Sequence, residues 1–157
     1  NKHNNILIVE EEKKELGFVG TPKEINKTII EKIVKEKKVP VIAPLGLDKN
    51  NQVFNINADT AAGAIAKKLN ARRLIIMSDV EGVLDNNKKL ITEINTVKIN
   101  ELIKNETISG GMIPKIKNCL DVASNGVKGV CIIDGRINHS ILFELLSNAG
   151  SGTLIRE

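Results

Sequence analysis

Two amides and a carboxylate lie where a predicted strand, Gln52–Ile56, passes into a predicted helix. Asn55, Asn57 and Asp59 occupy this corner, and small residues follow them in the helix. In α/β proteins ligands bind near the carboxyl ends of strands, so polar side chains there are candidates for binding or catalysis. Helix capping is one explanation for Asn57, whose side-chain oxygen can accept an N–H of the first turn. Capping does not explain Asn55 or Asp59, and we interpret the corner as part of an active site.

Lys115 is a second candidate, because it follows two adjacent glycines at the predicted start of another helix. A cation in the first turn opposes the helix dipole, so a tolerated surface lysine is one explanation. The other is phosphate binding, since the N–H groups of Gly110 and Gly111 and the helix N-terminus favour an anion. A lysine there supplies a point charge to a transferring phosphoryl group, and Asp59 is a candidate carboxylate to orient it. GGMIPK is a weak motif alone, and the chain contains no Walker A pattern.

A second polar corner, Ser78–Asp85, follows the apolar strand predicted at Leu74–Met77. It again brings polar groups and a glycine to the carboxyl end of a strand. Asp79 is either a nucleotide-facing group or a simple turn residue, and the sequence leaves both open. His139 is accompanied by no marked nucleophile, so the sequence does not predict nucleophilic catalysis.

The composition argues against several classes of function. The chain has 157 residues, a formal net charge of +4 and 2% aromatic residues. Proteins that bind single-stranded nucleic acid need aromatic platforms, and the lysines here are spread over predicted helices rather than gathered in one patch. We therefore expect no nucleic-acid partner. No apolar run is long enough to cross a membrane, so we expect no membrane partner either.

The cysteines and the start of the chain complete this picture. Cys119 and Cys131 lack the spacing of metal ligands, which predicts no protein metal site, and their usage favours a reducing cytoplasm. We also expect no signal peptide. Asn1 directly precedes a strand-like segment, and from this we expect a fragment of a longer protein.

Strands and helices alternate along the chain, which predicts an α/β fold with parallel strands in one domain, residues 1–157. A capping box that begins at Thr21 predicts a helix from there to about Lys38. The continuous apolar run Val39–Ala43 predicts a strand buried on both faces. Ser140–Leu146 predicts a final amphipathic helix.

Taken in order, six segments resemble the C-terminal half of the N-acetylglutamate kinases, a branch of the amino acid kinase family. They are LGFVG at Leu16–Gly20, VPVIAPLG at Val39–Gly46, NINAD at Asn55–Asp59, SDVEGVLD at Ser78–Asp85, SGGMIPK at Ser109–Lys115 and IIDGR at Ile132–Arg136. Each is only moderately specific, whereas six in this order over essentially the whole chain make a specific match. The resemblance implies a three-layer α/β/α sandwich around a mainly parallel sheet, with this chain as the nucleotide-binding lobe.

The resemblance also implies an activity. The γ-phosphoryl group of ATP, bound with Mg²⁺, would be transferred to the side-chain carboxylate of N-acetyl-L-glutamate in arginine biosynthesis. On the matching positions, Asn55 is expected to bind the acetylglutamate, Asp59 to orient the catalytic lysines and Lys115 to stabilise the transferring phosphoryl group. The implied nucleotide-binding residues are Ser78, Asp79, Val80, Gly82, Val83, Leu84, Ile108, Ser109, Gly110, Gly111 and Met112.

The segment HSILFELLSNAGSGT resembles the C-terminal pattern of the arginine-inhibited members, which are typically hexamers. On this resemblance His139, Glu144, Gly150 and Gly152 are expected to bind L-arginine as an inhibitor. A helix cap followed by a flexible tail is the alternative. The intact protein is expected to be a homo-oligomer, either a dimer or a hexamer. Family analogy also admits a PII-type regulator, for which no residue here argues.

The other catalytic lysine, the glycine-rich loops and a substrate-binding arginine of the family belong to an N-terminal substrate lobe that this chain lacks. We therefore expect the chain alone to be inactive. Two alternatives stay open: a sister kinase for an acetylated aminoadipate-type acid, and a non-catalytic nucleotide- or arginine-binding module.

Overall fold

The computed structural model describes residues 5–157, and the chain divides into two compact units after Leu69. Each unit combines one four-stranded sheet with helices, so the predicted α/β class is confirmed. Within residues 5–157, three pairings between strands are parallel and three are antiparallel. Both sheets therefore contain parallel and antiparallel pairings, whereas the expected sheet was mainly parallel.

The first unit extends to Leu69, and its sheet has the strand order β2-β1-β3-β4. Its elements are β1 (Leu7–Glu11), β2 (Gly20–Ile25), α1 (Lys27–Lys35), β3 (Leu45–Leu47), β4 (Val53–Asn55) and α2 (Ala58–Lys68). Leu7 and Val9 of β1 form a core with Phe54, Ile56 and Ala61. Ile56 and Ala61 flank the start of α2, so this core holds the predicted Asn55–Asp59 corner in place.

The prediction that a helix begins at Thr21 is wrong, because residues 20–25 form strand β2. This strand lies at the edge of its sheet and pairs with β1, with Pro22 opposite Val9. An edge strand tolerates a proline because one side of its backbone needs no ladder hydrogen bonds. Pairing with β1 outweighs the local capping signal, and α1 begins only at Lys27.

The predicted buried strand at Val39–Ala43 is also wrong. The segment is irregular, and Val39 and Val41 are 87% and 96% exposed. Pro40 and Pro44 each remove a backbone donor, and among residues 5–157 no strand pairs with this run. An apolar run predicts burial only where a partner strand is available to cover it.

The second unit comprises Asn70–Glu157, and its sheet has the strand order β5-β7-β8-β6. Its elements are β5 (Leu74–Ser78), β6 (Glu93–Asn95), α3 (Thr96–Lys104), α4 (Met112–Ser124), β7 (Val130–Asp134), α5 (Ser140–Leu146) and β8 (Gly152–Arg156). All five residues of β7 are buried, as expected for a central strand covered on both faces. Because β5 and β7 are parallel, their carboxyl ends meet at one edge, with Ser78 opposite Asp134.

Helix α5 has the predicted bounds but presents the opposite face to the interior. Its buried residues are the polar Ser140 and Glu144. Its apolar side chains are exposed instead: Ile141, Leu142, Phe143, Leu145 and Leu146. The inward face is set by the hydrogen bonds of Glu144 rather than by apolar burial.

Candidate functional site

A cavity of about 240 Å³ in the second unit gathers most of the predicted nucleotide-binding residues. It lies between the segment that follows β5 and the segment that leads into α4. Its lining is Val80, Gly82, Val83, Leu84, Thr107, Ile108, Ser109 and Met112. Thr107 was not predicted, since nothing in its sequence neighbourhood distinguishes it. None of these side chains is charged, so the cavity suits a flat, uncharged group such as a nucleotide base.

The floor of this cavity is held by β8. Thr153 is fully buried there, and its hydroxyl accepts the Val83 N–H at 2.8 Å and donates to the Ile91 carbonyl at 2.7 Å. Gly82 has φ +145°, and a Cβ at that position would lie 2.5 Å from Thr153 Oγ1. The glycine is therefore required both by its backbone conformation and by close packing on β8.

Lys115 reaches the carboxyl end of β5. Its Nζ donates to Ser78 Oγ at 3.1 Å, and Ser78 Oγ donates in turn to Asp79 Oδ1 at 3.2 Å. Gly110 has φ +54°, and open space surrounds the Cβ positions of Gly110 and Gly111. The glycine-led helix start thus leaves its backbone accessible to a ligand and brings an ammonium group to the predicted nucleotide corner.

An ion pair stands beside this corner at the end of β7. Asp134, only 3% exposed, accepts Arg136 Nε at 2.9 Å, Nη2 at 2.8 Å and the Arg136 backbone N–H at 2.9 Å. These bonds lower the pKa of the Asp134 carboxyl to about 2. The Gly135 N–H donates to the Ser78 carbonyl at 2.8 Å, so the turn is fastened directly to the residue that Lys115 contacts.

In the first unit, Asn57 acts as the cap of α2. Its Oδ1 accepts the Thr60 N–H at 3.1 Å and the Thr60 hydroxyl at 3.2 Å. Asn55 is exposed at the end of β4, and its backbone N–H donates to the Phe18 carbonyl. Asp59 is half-buried in the first turn of α2. Capping therefore accounts for Asn57 but gives no structural reason for the side chains of Asn55 and Asp59.

A second cavity of about 210 Å³ in the second unit brings together three of the four residues predicted to bind arginine. Glu144, Gly150 and Gly152 line it, as does Arg73, which the sequence did not single out. We call this cavity the Glu144 pocket. His139 is exposed, has φ +63° and precedes the first turn of α5, and it is not among the lining residues.

The carboxylate of Glu144 is buried and bonded at both oxygens. Oε1 accepts Arg73 Nη1 at 3.2 Å and the Cys131 thiol at 3.0 Å, and Oε2 accepts the Ser151 N–H at 3.0 Å. Burial, together with the nearby carboxylate, raises the pKa of Cys131 to about 12, so this thiol stays protonated.

Both glycines of the pocket have packing reasons of their own. Gly150 has φ +69°, and a Cβ there would lie 2.9 Å from Glu144 Oε2. A Cβ at Gly152 would lie 1.9 Å from the Ile132 carbonyl oxygen, so β8 can pair with β7 only through a glycine.

Within residues 5–157, no group of three or more His, Cys, Asp or Glu residues is arranged to hold a metal ion. No helix there combines the length and the apolar character needed to cross a membrane.

Residues 2–134 match the family model described as the amino acid kinase family. The acetylglutamate kinase of Pelagibacter ubique (strain HTCC1062) is 73% identical over 156 residues, which are 99% of this chain and 54% of that relative. The crystal structure of smu.665 from Streptococcus mutans UA159 is 34% identical with a TM-score of 0.80, over 96% of this chain and 56% of that one. The crystal structure of N-acetylglutamate synthase from Neisseria gonorrhoeae, complexed with coenzyme A and L-arginine, has a TM-score of 0.88 at 20% sequence identity. The match covers 98% of this chain and 37% of that chain, and it shows a similarity of fold alone. The chain spans about half the length of the curated relatives it matches.

Proposed function

The chain belongs to the amino acid kinase family, and on that basis we propose that it is the ATP-binding part of an acetylglutamate kinase. The proposed reaction transfers the γ-phosphoryl group of ATP to the side-chain carboxylate of N-acetyl-L-glutamate, with Mg²⁺ entering as part of the nucleotide substrate. The relative that is 73% identical carries that enzyme name. Because the chain spans about half of that relative, we propose the activity for the intact protein and expect the chain alone to be inactive.

The contact between Lys115 Nζ and Ser78 Oγ is the observation that supports the proposal most directly. It brings a cation to the carboxyl end of β5, where the segment lining the uncharged cavity begins. A nucleotide base fits the cavity, and an ammonium group can neutralise the charge on the transferring phosphoryl oxygens. An ionised carboxylate acceptor needs no general base, so positioning and charge neutralisation suffice.

The roles of Asn55 in binding acetylglutamate and of Asp59 in orienting the catalytic lysines stay predictions. The same holds for residues 1–157 acting as one nucleotide-binding domain, and for the cytoplasmic location. The dimeric or hexameric state and the PII-type partner likewise stay predictions.

We further propose that L-arginine regulates the intact enzyme through the Glu144 pocket. The buried Glu144 carboxylate already accepts a guanidinium, that of Arg73, at 3.2 Å. Charge-assisted bonds between guanidinium and carboxylate are among the stronger hydrogen bonds in proteins. The pocket therefore has the chemistry to bind a ligand that carries a guanidinium group.

A chimera tests the proposed activity. The chain replaces the matching part of the Pelagibacter relative, and ATP consumption is measured with N-acetyl-L-glutamate as the acceptor. We expect turnover by the chimera and none by the chain alone. A chimera that folds and binds ATP but does not phosphorylate acetylglutamate would contradict the proposal.

The intact protein, with its own substrate lobe in place of the relative's, separates the two alternatives. A sister kinase is favoured if kcat/KM is higher for an N-acetylated aminoadipate than for N-acetyl-L-glutamate. A non-catalytic binding module is favoured if ATP or arginine binds while neither acid is phosphorylated.

A further inference from the structure

The turn that follows β7 carries a motif to which the proposed function gives no role. Asp134 and Arg136 belong to the IIDGR segment, one of the six that resemble the family. Arg136 Nε and Nη2 each donate to a different carboxylate oxygen of Asp134. The Asp134 side chain is buried, whereas that of Arg136 is 66% exposed. A buried carboxylate therefore holds an exposed guanidinium in a fixed orientation.

This turn adjoins the start of the segment that lines the uncharged cavity. Asp134 pairs with Ser78 in the register of β5 and β7, and the Gly135 N–H donates to the Ser78 carbonyl at 2.8 Å. Asp79 follows directly and accepts the Ser78 hydroxyl. Glu81 is an exposed residue of the same segment and does not line the cavity. Two carboxylates therefore lie beside the proposed site of a polyanionic nucleotide.

The guanidinium of Arg136 lies within electrostatic reach of both carboxylates. Asp134 contributes most to raising the pKa of Arg136, and the charges of Asp79 and Glu81 raise it further. Because Asp134 fixes the side chain at the end of β7, the positive charge is held beside Asp79 and Glu81. It offsets their negative charge at the place where an anionic ligand must approach.

We propose that Arg136 promotes nucleotide binding by offsetting the negative charge of Asp79 and Glu81 beside the cavity. In this role Arg136 acts through the two carboxylates rather than on the reacting atoms. Without it, the carboxylates repel the phosphates of ATP but not an uncharged base. This inference rests on the nucleotide site proposed above and gives the IIDGR segment a role in it.

Calorimetric titration of the intact protein tests the proposal with two probes. Magnesium-bound ATP carries the phosphates, and adenosine carries the base without them. Arg136→Met should weaken ATP binding about fivefold at low ionic strength and leave adenosine binding unchanged. In about 0.5 M KCl the loss should fall below about twofold, because salt screens exposed charges. Arg156→Met is the matched control, since Arg156 pairs with the exposed Glu93 and lies beside the opposite end of β7.

Glu81→Gln provides a test that leaves the pair of Asp134 and Arg136 intact. It should tighten ATP binding about twofold in the otherwise unchanged protein. Combined with Arg136→Met, it should recover about twofold of the lost affinity. Arg136→Lys keeps the charge and should bind ATP more tightly than Arg136→Met.

Three results would overturn the proposal. The first is an ATP affinity that Glu81→Gln leaves unchanged, which can be measured even if Arg136→Met does not fold. The second is an ATP affinity that Arg136→Met leaves unchanged, which would make Arg136 a surface residue only. The third is equal weakening of ATP and adenosine by Arg136→Met, which would mean that Arg136 only maintains the turn.

The outcomes also separate this inference from the function on which it rests. If the intact protein binds ATP but does not phosphorylate N-acetyl-L-glutamate, the proposed reaction is wrong, and the binding data alone decide the role of Arg136. If it binds neither ATP nor adenosine, the nucleotide site is wrong and the inference fails with it.

Discussion

The two cavities of the second unit are built in opposite ways. The cavity beyond the carboxyl end of β5 is lined by uncharged residues only, with Lys115 held at Ser78 nearby. The Glu144 pocket includes Arg73, which directly precedes β5, and its lining contains charged groups of both signs. The first is suited to an uncharged ring with a separate cation for its phosphates, the second to a ligand that itself carries both charges.

The two cavities also differ in the interactions that maintain their shape. In the first cavity, the close packing of Gly82 against Thr153 of β8 sets the geometry. In the Glu144 pocket, hydrogen bonds to one buried carboxylate set it, and they turn the polar face of α5 inward. Substitutions should therefore impair the first cavity by disturbing its packing, and the Glu144 pocket by removing hydrogen bonds to the buried carboxylate.

Among substitutions near the first cavity, Lys115→Ala should have the largest effect. Removing a preorganised cation from a phosphoryl-transfer site is expected to lower kcat of the chimera by about 10²–10³-fold. Lys117→Ala is the control, because Lys117 lies on the same helix and is exposed. Steady-state kinetics check the result, and an unchanged kcat would mean that Lys115 is a surface lysine.

Among substitutions in the Glu144 pocket, Glu144→Gln should have the largest effect, mainly on stability. It leaves Arg73 without an anionic partner, so we expect the free energy of unfolding to fall by about 2 kcal/mol, reduced by the partial exposure of Arg73. Urea unfolding followed by circular dichroism measures it. Glu101→Gln, in the exposed Lys98–Glu101 pair, should cost about 0.5 kcal/mol or less. Equal losses in the two variants would argue against a special role for the buried carboxylate.

Gly82→Ala tests close packing in the first, uncharged cavity. Both Gly82 and Gly110 have positive φ. Of the two, only Gly82 packs closely against a neighbouring element, at Thr153 of β8. We expect Gly82→Ala to lower the free energy of unfolding by about 2 kcal/mol and Gly110→Ala by about 1 kcal/mol. The comparison of the two denaturation curves isolates the packing contribution. Similar curves would show that backbone conformation alone determines the cost.

The smallest effect concerns pH. The pKa of Cys131 is raised from 9.0 to about 12, so the protonated thiol favours the folded state. That contribution is fully present below pH 9 and is lost as the pH rises from 9 towards 12. Cys131→Ala should therefore unfold with a shallower pH dependence in this range, measured as melting temperature against pH. Parallel curves for the two proteins would mean that Cys131 does not titrate with folding.

Much of the fold follows from local sequence patterns. Asn57 is the predicted cap, and helix α4 and strand β5 lie close to where their patterns predict them. These elements form where capping, apolar periodicity and burial agree, so neighbouring residues are enough to predict them. The grouping of Val80 to Leu84 with Ile108 to Met112 also agrees with the motifs, because both segments adjoin elements of one sheet and its helix.

Other features depend on residues far apart in the sequence. Strand β2 replaces a predicted helix start because β1 pairs with it. Val39 and Val41 stay exposed because, within residues 5–157, no strand pairs with their segment. Glu144 turns inward because Arg73, Cys131 and Ser151 meet it there. Local sequence patterns do not predict contacts between residues that are this far apart in the chain.

By itself, the sequence determined the α/β class, the family motifs and the residue types at each corner, because these depend on short segments. Only the tertiary structure decided which face of α5 is buried, that Arg73 faces Glu144, and that Lys115 reaches Ser78. These three facts rest on pairs of residues 37 and 71 positions apart and on one buried charge. A buried charge must find its partner, and only the folded chain shows where that partner lies.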